Sequence, residues 1–158
     1  MPGAGTFVSE KKKLVVDSIR SGTVIDHIPA DRTLLAVEML TAPGDQYLVG
    51  VNLLSTSMGR KGIIKFQNKV LDDAHLRTLA AIAPQATVNI IEDYNISRKL
   101  DLGVPDKVTG IFICPNQNCI TNHESVPSVF RHVDKGFSCH YCERVFPVQR
   151  MKFHRPSI

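Results

Sequence analysis

Hydrophobic and polar positions recur with two different periods over the first two thirds of the chain. Runs rich in β-branched residues, some alternating with polar ones, are typical of strands, and apolar residues spaced three or four apart are typical of helices. In chain order the pattern predicts a bent strand or strand pair over 14–28, a helix from Asp31 to Leu40, strands over 47–54 and 62–68, a helix over 72–83 and a final strand over 86–96. Asp31 offers a cap for the first helix, and a polar loop is expected over 55–61.

The predicted order of elements, β-α-β-β-α-β, is that of the split βαβ or ferredoxin-like arrangement. It predicts an antiparallel sheet with both helices on one face, so the opposite face must be polar or covered. The fold alone carries no information about function.

The last third of the chain has a different composition. It has few large aliphatic side chains, and all four cysteines lie after residue 113. A segment this small rarely folds without a stabilising cross-link such as a bound metal. Glycine and proline interrupt the hydrophobic pattern over 102–106. We therefore expect two domains, 1–103 and 104–158, in an α+β chain whose second domain is small and all-β.

The cysteines form two close pairs, Cys114 with Cys119 and Cys139 with Cys142. Two such pairs place four thiolates around one ion, and zinc favours that tetrahedral set. Disulfides, free buried thiols, a redox-active C-x-x-C and an iron centre are the other interpretations, and zinc is favoured over each. Four thiolates leave no open position, so one structural zinc is expected, without which this segment would lose its fold. Three nearby histidines are expected on the surface or beside the ligands: His123, His132 and His140.

Composition narrows the classes of function. With 158 residues, 43% hydrophobic and 22% charged, the chain is too short for a full α/β barrel and too apolar for long disorder. The formal net charge of +4 permits an anionic ligand without requiring nucleic acid. No apolar run nears the roughly 18 residues that span a bilayer, and the N-terminus does not resemble a secretory signal. We therefore expect a cytoplasmic protein with no membrane partner.

Familiar catalytic motifs are absent from the sequence. The chain has no P-loop, no G-x-G-x-x-G and no G-x-S-x-G, so it is not expected to be an enzyme by itself. The basic residues of the last third are interspersed with acids and lack interleaved aromatic residues, which disfavours a platform for stacking bases. Protein contact is therefore expected there ahead of nucleic acid, with Asn116 and Asn118 as candidate docking residues.

Several polar residues occupy positions where the predicted strands would show apolar ones. They are Asp26, His27, Lys65, Asn89 and Lys99. Each of them alone is more often part of a solvated sheet face. Together they suit a phosphorylated ligand, because lysine supplies point charges for phosphate and aspartate accepts hydrogen bonds from sugar hydroxyls.

Four collinear stretches carry a family resemblance: Gly22–Ala30, Met58–Lys61, Ala83–Asn89 and Cys114–Ile120. They resemble the regulatory chain of bacterial and archaeal aspartate carbamoyltransferase, over roughly residues 14–146. The resemblance implies a non-catalytic, allosteric subunit of pyrimidine biosynthesis. Its ferredoxin-like domain would bind nucleoside triphosphates of the CTP, ATP or UTP type, and its zinc domain would dock on catalytic chains. It also implies that regulatory chains form homodimers through the nucleotide domain and that effectors shift the population of quaternary states.

Carried over by motif, the effector pocket has eight members: Ile19, Asp26, His27, Lys65, Asn89, Tyr94, Ile96 and Lys99. By resemblance, Asp26 would hold the ribose and Lys65 would lie near the base and sugar. Lys99 and His27 would lie near the phosphates, and backbone groups of Ile19, Tyr94 and Ile96 would read the base. Further candidates near the pocket are Lys61, Val16 and Asp17.

Two other functions remain open from the residues themselves. One is a zinc-ribbon nucleic-acid-binding protein, whose affinity would fall steeply with salt. The other is a free-standing, ferredoxin-like sensor of small molecules, which the zinc-bearing docking segment makes less attractive.

Overall fold

The computed structural model describes residues 18–155. The first part contains five strands and two helices: β1 Gly22–Pro29, α1 Thr33–Leu40, β2 Gln46–Ser55, β3 Gly59–Gln67, α2 Asp73–Ile82, β4 Thr87–Glu92 and β5 Asn95–Asp101. The second part contains short strands: β6 Lys107–Thr109, β7 Phe112–Ile113, β8 Val129–Val133, β9 Gly136–Cys139, β10 Val145–Phe146 and β11 Lys152–Phe153. Within residues 18–155, no helix has the length and apolar character needed to cross a membrane.

The first five strands form one antiparallel sheet in the order β2-β3-β1-β4-β5. One face of this sheet buries apolar side chains in a core shared with both helices. The fully or almost fully buried members include Ile25, Ala36, Leu40, Ile64, Phe66, Leu79 and Val88. The predicted α+β class and ferredoxin-like order are confirmed, and no helix of residues 18–155 covers the opposite face of the sheet, which is called the open face below.

This half has one strand more than the pattern predicts. The run predicted as a single strand over 86–96 is a hairpin, in which β4 and β5 are joined at Asp93 and Tyr94. Both residues have positive φ, 48° and 66°, as the favoured two-residue hairpin turns require. The pair lacks the glycine that usually marks such a turn, so the sequence does not signal it.

Three predicted element ends also differ from the structure. β1 begins at Gly22, and residues 14–17 of the predicted strand lie outside the described part of the chain. The polar loop expected over 55–61 is shorter, since β3 already begins at Gly59. The predicted cap is wrong, because Asp31 lies in a 3-10 turn before α1 and no side-chain hydrogen bond caps that helix.

The second half is a small all-β unit built around phenylalanines. A four-stranded sheet in the order β10-β9-β8-β6 accompanies the two-stranded pair β11-β7. The fully buried ring of Phe112 meets those of Phe130, Phe137 and Phe153 edge-on, with centroids 5.6, 5.0 and 5.2 Å away. Such contacts add to the energy of burial, but a core this small usually needs disulfides or a bound metal as well.

Two arginines connect the two halves through α1. Arg155 donates a hydrogen bond to the carboxylate of Glu38 in α1. The guanidinium of Arg32, just before α1, lies 5.2 Å from the ring centroid of Phe153 in β11. The segment from Arg32 through α1 therefore contacts the end of the second half, at β11 and just after it.

Candidate functional site

The open face of the five-stranded sheet carries a row of candidate ligand-binding side chains. Lys65 on β3 pairs with Val24 on β1, which pairs in turn with Asn89 on β4. Asn89 pairs with Lys99 on β5. Directly paired residues share a face of the sheet, and neighbouring strands lie about 4.8 Å apart. The row therefore places the backbones of two lysines roughly 14 Å apart, with an amide side chain between them.

Asn89 has a polar group that the described chain leaves unsatisfied. Its side-chain oxygen is buried and has no hydrogen-bond partner among residues 18–155. Buried polar atoms are nearly always paired, so an unpaired one implies a partner such as a ligand or an ordered water. This atom belongs to β4, one of the two strands that lie between those of Lys65 and Lys99.

Asp26 lies two residues after Val24 on the same open face, and a bulge in β1 brings His27 beside it. The pairing of β1 with β3 shifts between Ile25 and Ile28, and His27 has a positive φ of 59°. The N–H of His27 donates to the Asp26 carboxylate at 2.6 Å, and its Nδ1 lies 3.2 Å from the hydroxyl oxygen of Thr87. Bulges re-aim side chains and recur beside functional sites.

Asp26 also forms an ion pair. Its carboxylate lies 2.8 Å from Nζ of Lys61, and the two side chains are only 23% and 21% exposed. Burial opposes the ionisation of Asp26, but the hydrogen bonds from Lys61 and from the His27 N–H outweigh it and hold the pKa of this carboxyl below its usual value of 3.8. Asp26 is therefore a negatively charged, well-fixed acceptor at neutral pH.

A cavity of about 230 Å³ adjoins the β3 end of the row. Its lining includes Ile19, Tyr47, Leu48 and Lys65, so the structure brings two of the predicted residues, Ile19 and Lys65, to one pocket. Sequence reasoning missed the β2 residues, because the pattern of one strand does not reveal which strand lies beside it.

The remaining predicted pocket residues lie at the β4–β5 hairpin. The N–H of Tyr94 donates to the carbonyl of Arg20 at 3.0 Å, which places Tyr94 next to the Ile19 segment. The side chains of Tyr94 and Ile96 are 65% and 60% exposed, and neither lines the cavity. Val16 and Asp17 lie outside the described residues.

The second candidate site is a cluster of four sulfur atoms. The Sγ atoms of the four cysteines all lie within 4.8 Å of one another, with 3.8 Å between Cys114 and Cys142 and 3.8 Å between Cys119 and Cys139. No disulfide joins them. Four sulfurs bound about 2.3 Å from a tetrahedral zinc would be about 3.8 Å apart. The donor set and its spacing suit one structural zinc ion.

The protein environment shifts the pKa values of three of the four thiols. Burial raises the pKa of Cys114 and Cys139. For Cys119 burial also opposes ionisation, but hydrogen bonds from the hydroxyl and N–H of Thr121 lower its pKa to about 7. Thiols this close resist becoming four anions unless a cation lies among them, and a bound metal deprotonates its thiol ligands.

The nearby histidines lie outside the sulfur cluster. His123 is exposed, with Nε2 2.8 Å from a backbone carbonyl oxygen. The rings of His132 and His140 are exposed and lie edge-on to Phe137 and Tyr141. The placement agrees with the expectation of surface groups around a site already filled by four sulfurs.

The two asparagines between the first cysteine pair have different environments. The side-chain oxygen of Asn116 accepts the N–H of Asn118 at 3.1 Å, and its carbonyl accepts the N–H of Cys119 at 3.0 Å. Asn118 is exposed and Asn116 is half-buried. Asn116 therefore shapes the turn, and Asn118 is the more available to a partner.

Two family models match the chain in succession. The model described as "Aspartate carbamoyltransferase regulatory chain, allosteric domain" matches residues 14–103, and the one described as "Aspartate carbamoyltransferase regulatory chain, metal binding domain" matches residues 106–152.

Similar proteins named aspartate carbamoyltransferase regulatory chain occur in archaea and bacteria. The protein from Thermococcus sibiricus is 45% identical over 137 residues, which cover 84% of this chain and 91% of the relative. The one from Chromobacterium violaceum is 45% identical over 138 residues, or 83% and 90%. The one from Serratia proteamaculans is 43% identical over 148 residues, or 90% and 96%. The matches extend over both halves of the chain, and they confirm the resemblance.

Proposed function

The chain belongs to the family of aspartate carbamoyltransferase regulatory chains, and we propose that it binds nucleoside triphosphate effectors on its open sheet face. We also propose that it docks on catalytic chains through its zinc half. It is a regulatory, non-catalytic chain. The observation that carries the effector proposal is the row of Lys65, Asn89 and Lys99 across one face, with the Asp26 bulge on that same face.

Charge and hydrogen bonding on the open face suit a nucleotide. Lys99 and His27 supply positive or switchable donors for phosphates, and Asp26 accepts hydrogen bonds from ribose hydroxyls. Lys65 lies by the cavity and would contact base and sugar. The unpaired oxygen of Asn89 would accept one hydrogen bond from the ligand.

The base would be read by backbone groups near the hairpin. The hydrogen bond from Tyr94 to Arg20 holds the segment containing Ile19 beside the β4–β5 turn. Backbone groups of Ile19, Tyr94 and Ile96 would therefore share one end of the ligand. We propose Lys61 as an indirect contributor, because it fixes the Asp26 carboxylate.

The zinc half would join the chain to the catalytic chains. We assign the zinc ligands as Cys114, Cys119, Cys139 and Cys142. Because the core around Phe112 is small, metal binding and folding of this half should be coupled. The exposed turn bearing Asn118 would contact the catalytic chain, with Asn116 holding that turn in shape.

A homodimer of regulatory chains is also proposed, through the nucleotide half. Within the described part of the chain β2 is an edge strand of its sheet, and it exposes Tyr47, Leu48, Val51 and Leu54 to 43%, 43%, 42% and 79%. An edge with unpaired backbone and exposed apolar side chains is a template for pairing with another chain. A second copy of this chain would cover it.

Control of pyrimidine biosynthesis would follow from thermodynamic linkage between effector binding and the quaternary state of the complex. An effector shifts a quaternary equilibrium only if it binds one state better than the other, and ligands of the catalytic chain must then alter effector affinity in return. We propose domains of 1–103 and 104–158 for the two roles. A cytoplasmic location is also proposed, since a reducing compartment keeps thiols available for zinc.

Calorimetric titration of the zinc-loaded chain with CTP, ATP and UTP tests the effector site. Lys99→Ala should weaken nucleotide binding about tenfold or more, the loss typical of a charged hydrogen bond, and should leave the zinc content unchanged. Lys135→Ala, which removes an exposed lysine from the β8–β9 turn, is the matched control. Unchanged nucleotide affinity in Lys99→Ala would sink the assignment of the pocket.

A further inference from the structure

A second cavity lies where the two halves meet. It has a volume of about 390 Å³ and is lined by Ala74, Arg77 and Thr78 of α2, by the three residues of β6, and by Ile111. Because α2 covers the helix face of the sheet, this cleft is on the opposite side from the proposed effector site. We propose that the cleft is a separate binding site for a small phosphate-type polyanion.

The first support is an uncompensated cluster of positive charge. Arg77 enters the cleft from α2 and Lys107 from β6, and Lys107 pairs directly with Arg131 on β8. Like charges directly opposite on neighbouring strands destabilise a sheet. Within residues 18–155 none of these three side chains makes an ion pair or a hydrogen bond, and no acidic residue lines the cleft. An anion would offset the repulsion.

The second support is the free edge of β6. Among residues 18–155 this strand ends its sheet. The two residues that flank it bond to the β8 side: the N–H of Gly110 donates to the carbonyl of Ser128, and the carbonyl of Asp106 accepts the N–H of His132. In an antiparallel ladder alternate residues face the partner strand, so the N–H groups of Lys107 and Thr109 face the other way. All three residues of β6 line the cleft, as expected when a strand presents its edge.

The donors in the cleft favour phosphate as the ligand chemistry. Two cationic side chains, two outward backbone N–H groups and the hydroxyl of Thr109 all can donate, and a phosphate has several oxygens to accept such bonds. The walls come from both halves of the chain, so a bound anion would bridge them. Free phosphate compounds and the phosphate tail of a nucleotide share this chemistry.

Calorimetry of the full-length, zinc-loaded chain with sodium pyrophosphate at low ionic strength tests the site. We expect Arg77→Ala and Lys107→Ala each to weaken binding about tenfold. Lys135→Ala removes the same charge elsewhere on the zinc half and should change the affinity less than twofold. Lys99→Ala, on the open face, should also leave pyrophosphate binding at the cleft intact. Zinc content and circular dichroism confirm that each variant is folded.

Three results would overturn the proposal. Pyrophosphate that fails to bind at millimolar concentration leaves the cleft without a ligand of this class. If Lys135→Ala weakens pyrophosphate binding as much as the cleft variants do, only net charge matters. If Lys99→Ala abolishes pyrophosphate binding and Lys107→Ala leaves it unchanged, the anion binds in the effector pocket. If the cleft does bind pyrophosphate, ATP added to Lys99→Ala identifies the kind of ligand. Competition between ATP and pyrophosphate indicates the phosphate tail of a nucleotide, and no competition indicates a free phosphate compound. Either result supports the site.

Discussion

Replacing Lys61 by methionine should destabilise the nucleotide half, because it leaves the Asp26 carboxylate without its cation. The side chains of this ion pair are 21% and 23% exposed, with 2.8 Å between Nζ and the carboxylate. Breaking a fully buried pair costs about 3–5 kcal/mol, and an exposed pair contributes less than about 1 kcal/mol. With water reaching about a quarter of each group, we expect a loss of about 1–2 kcal/mol, since methionine retains most of the packing of the lysine stem.

Urea unfolding of a double-mutant cycle measures this interaction. The cycle comprises Lys61→Met, Asp26→Asn and the double variant, all followed by circular dichroism at neutral pH. We expect the double variant to be about 1 kcal/mol more stable than the sum of the two single losses predicts. Additivity within about 0.3–0.5 kcal/mol would refute the ion pair as a source of stability.

The pH dependence of the cycle identifies the titrating group. The pKa of Asp26 is lowered in the fold, so the stability it contributes is fully present above its unfolded value of 3.8 and is lost as the pH falls through the lower, folded pKa. The coupling energy should therefore be the same at pH 8 and pH 6. A coupling that fades between those two values would point to a histidine in place of the Asp26–Lys61 pair.

Two further predictions concern the zinc half and the core. Cys119→Ser should lose the metal and with it assembly with catalytic chains, whereas His123→Ala should keep both. Metal analysis after sizing chromatography checks this. An intact complex without metal would contradict the structural role of the zinc. Gly62→Ala should destabilise the chain by about 1–3 kcal/mol, because the new methyl would overlap the buried side chain of Thr33. Combining it with Thr33→Ala in urea unfolding should cost less than the two single losses added together, and strict additivity would argue against that contact.

Local signals identified most of the elements correctly. Asp72 caps α2 by accepting the N–H of His75 at 2.8 Å, and the acidic start and apolar spacing of that helix were visible in sequence. Asp31 failed as a cap because the chain first makes a 3-10 turn, which residue type alone does not show. The hairpin at Asp93 was missed because an edge strand rich in exposed polar residues lacks the alternation of a half-buried strand.

The candidate sites depended on two kinds of information. The cysteine cluster was predictable from spacing, since metal geometry restricts where four thiolates come together. The residues of the open face were indicated individually by their polarity, but their row depends on strand register. The same register explains why Thr87 beside His27 and the β2 wall of the cavity escaped sequence reasoning.

The position of β1 in the middle of its sheet has a consequence for folding during synthesis. Its neighbours are β3, which ends at Gln67, and β4, which ends at Glu92, so β1, which is made before either of them, must wait for both. At about 5–20 residues per second, Ile25 and Ile28 stay without their partners for several seconds. The four zinc ligands, by contrast, are separated by short stretches of chain, and local contacts form fast. The first half to be synthesised is thus the half that depends on distant contacts, and the metal half can close soon after its last cysteine emerges.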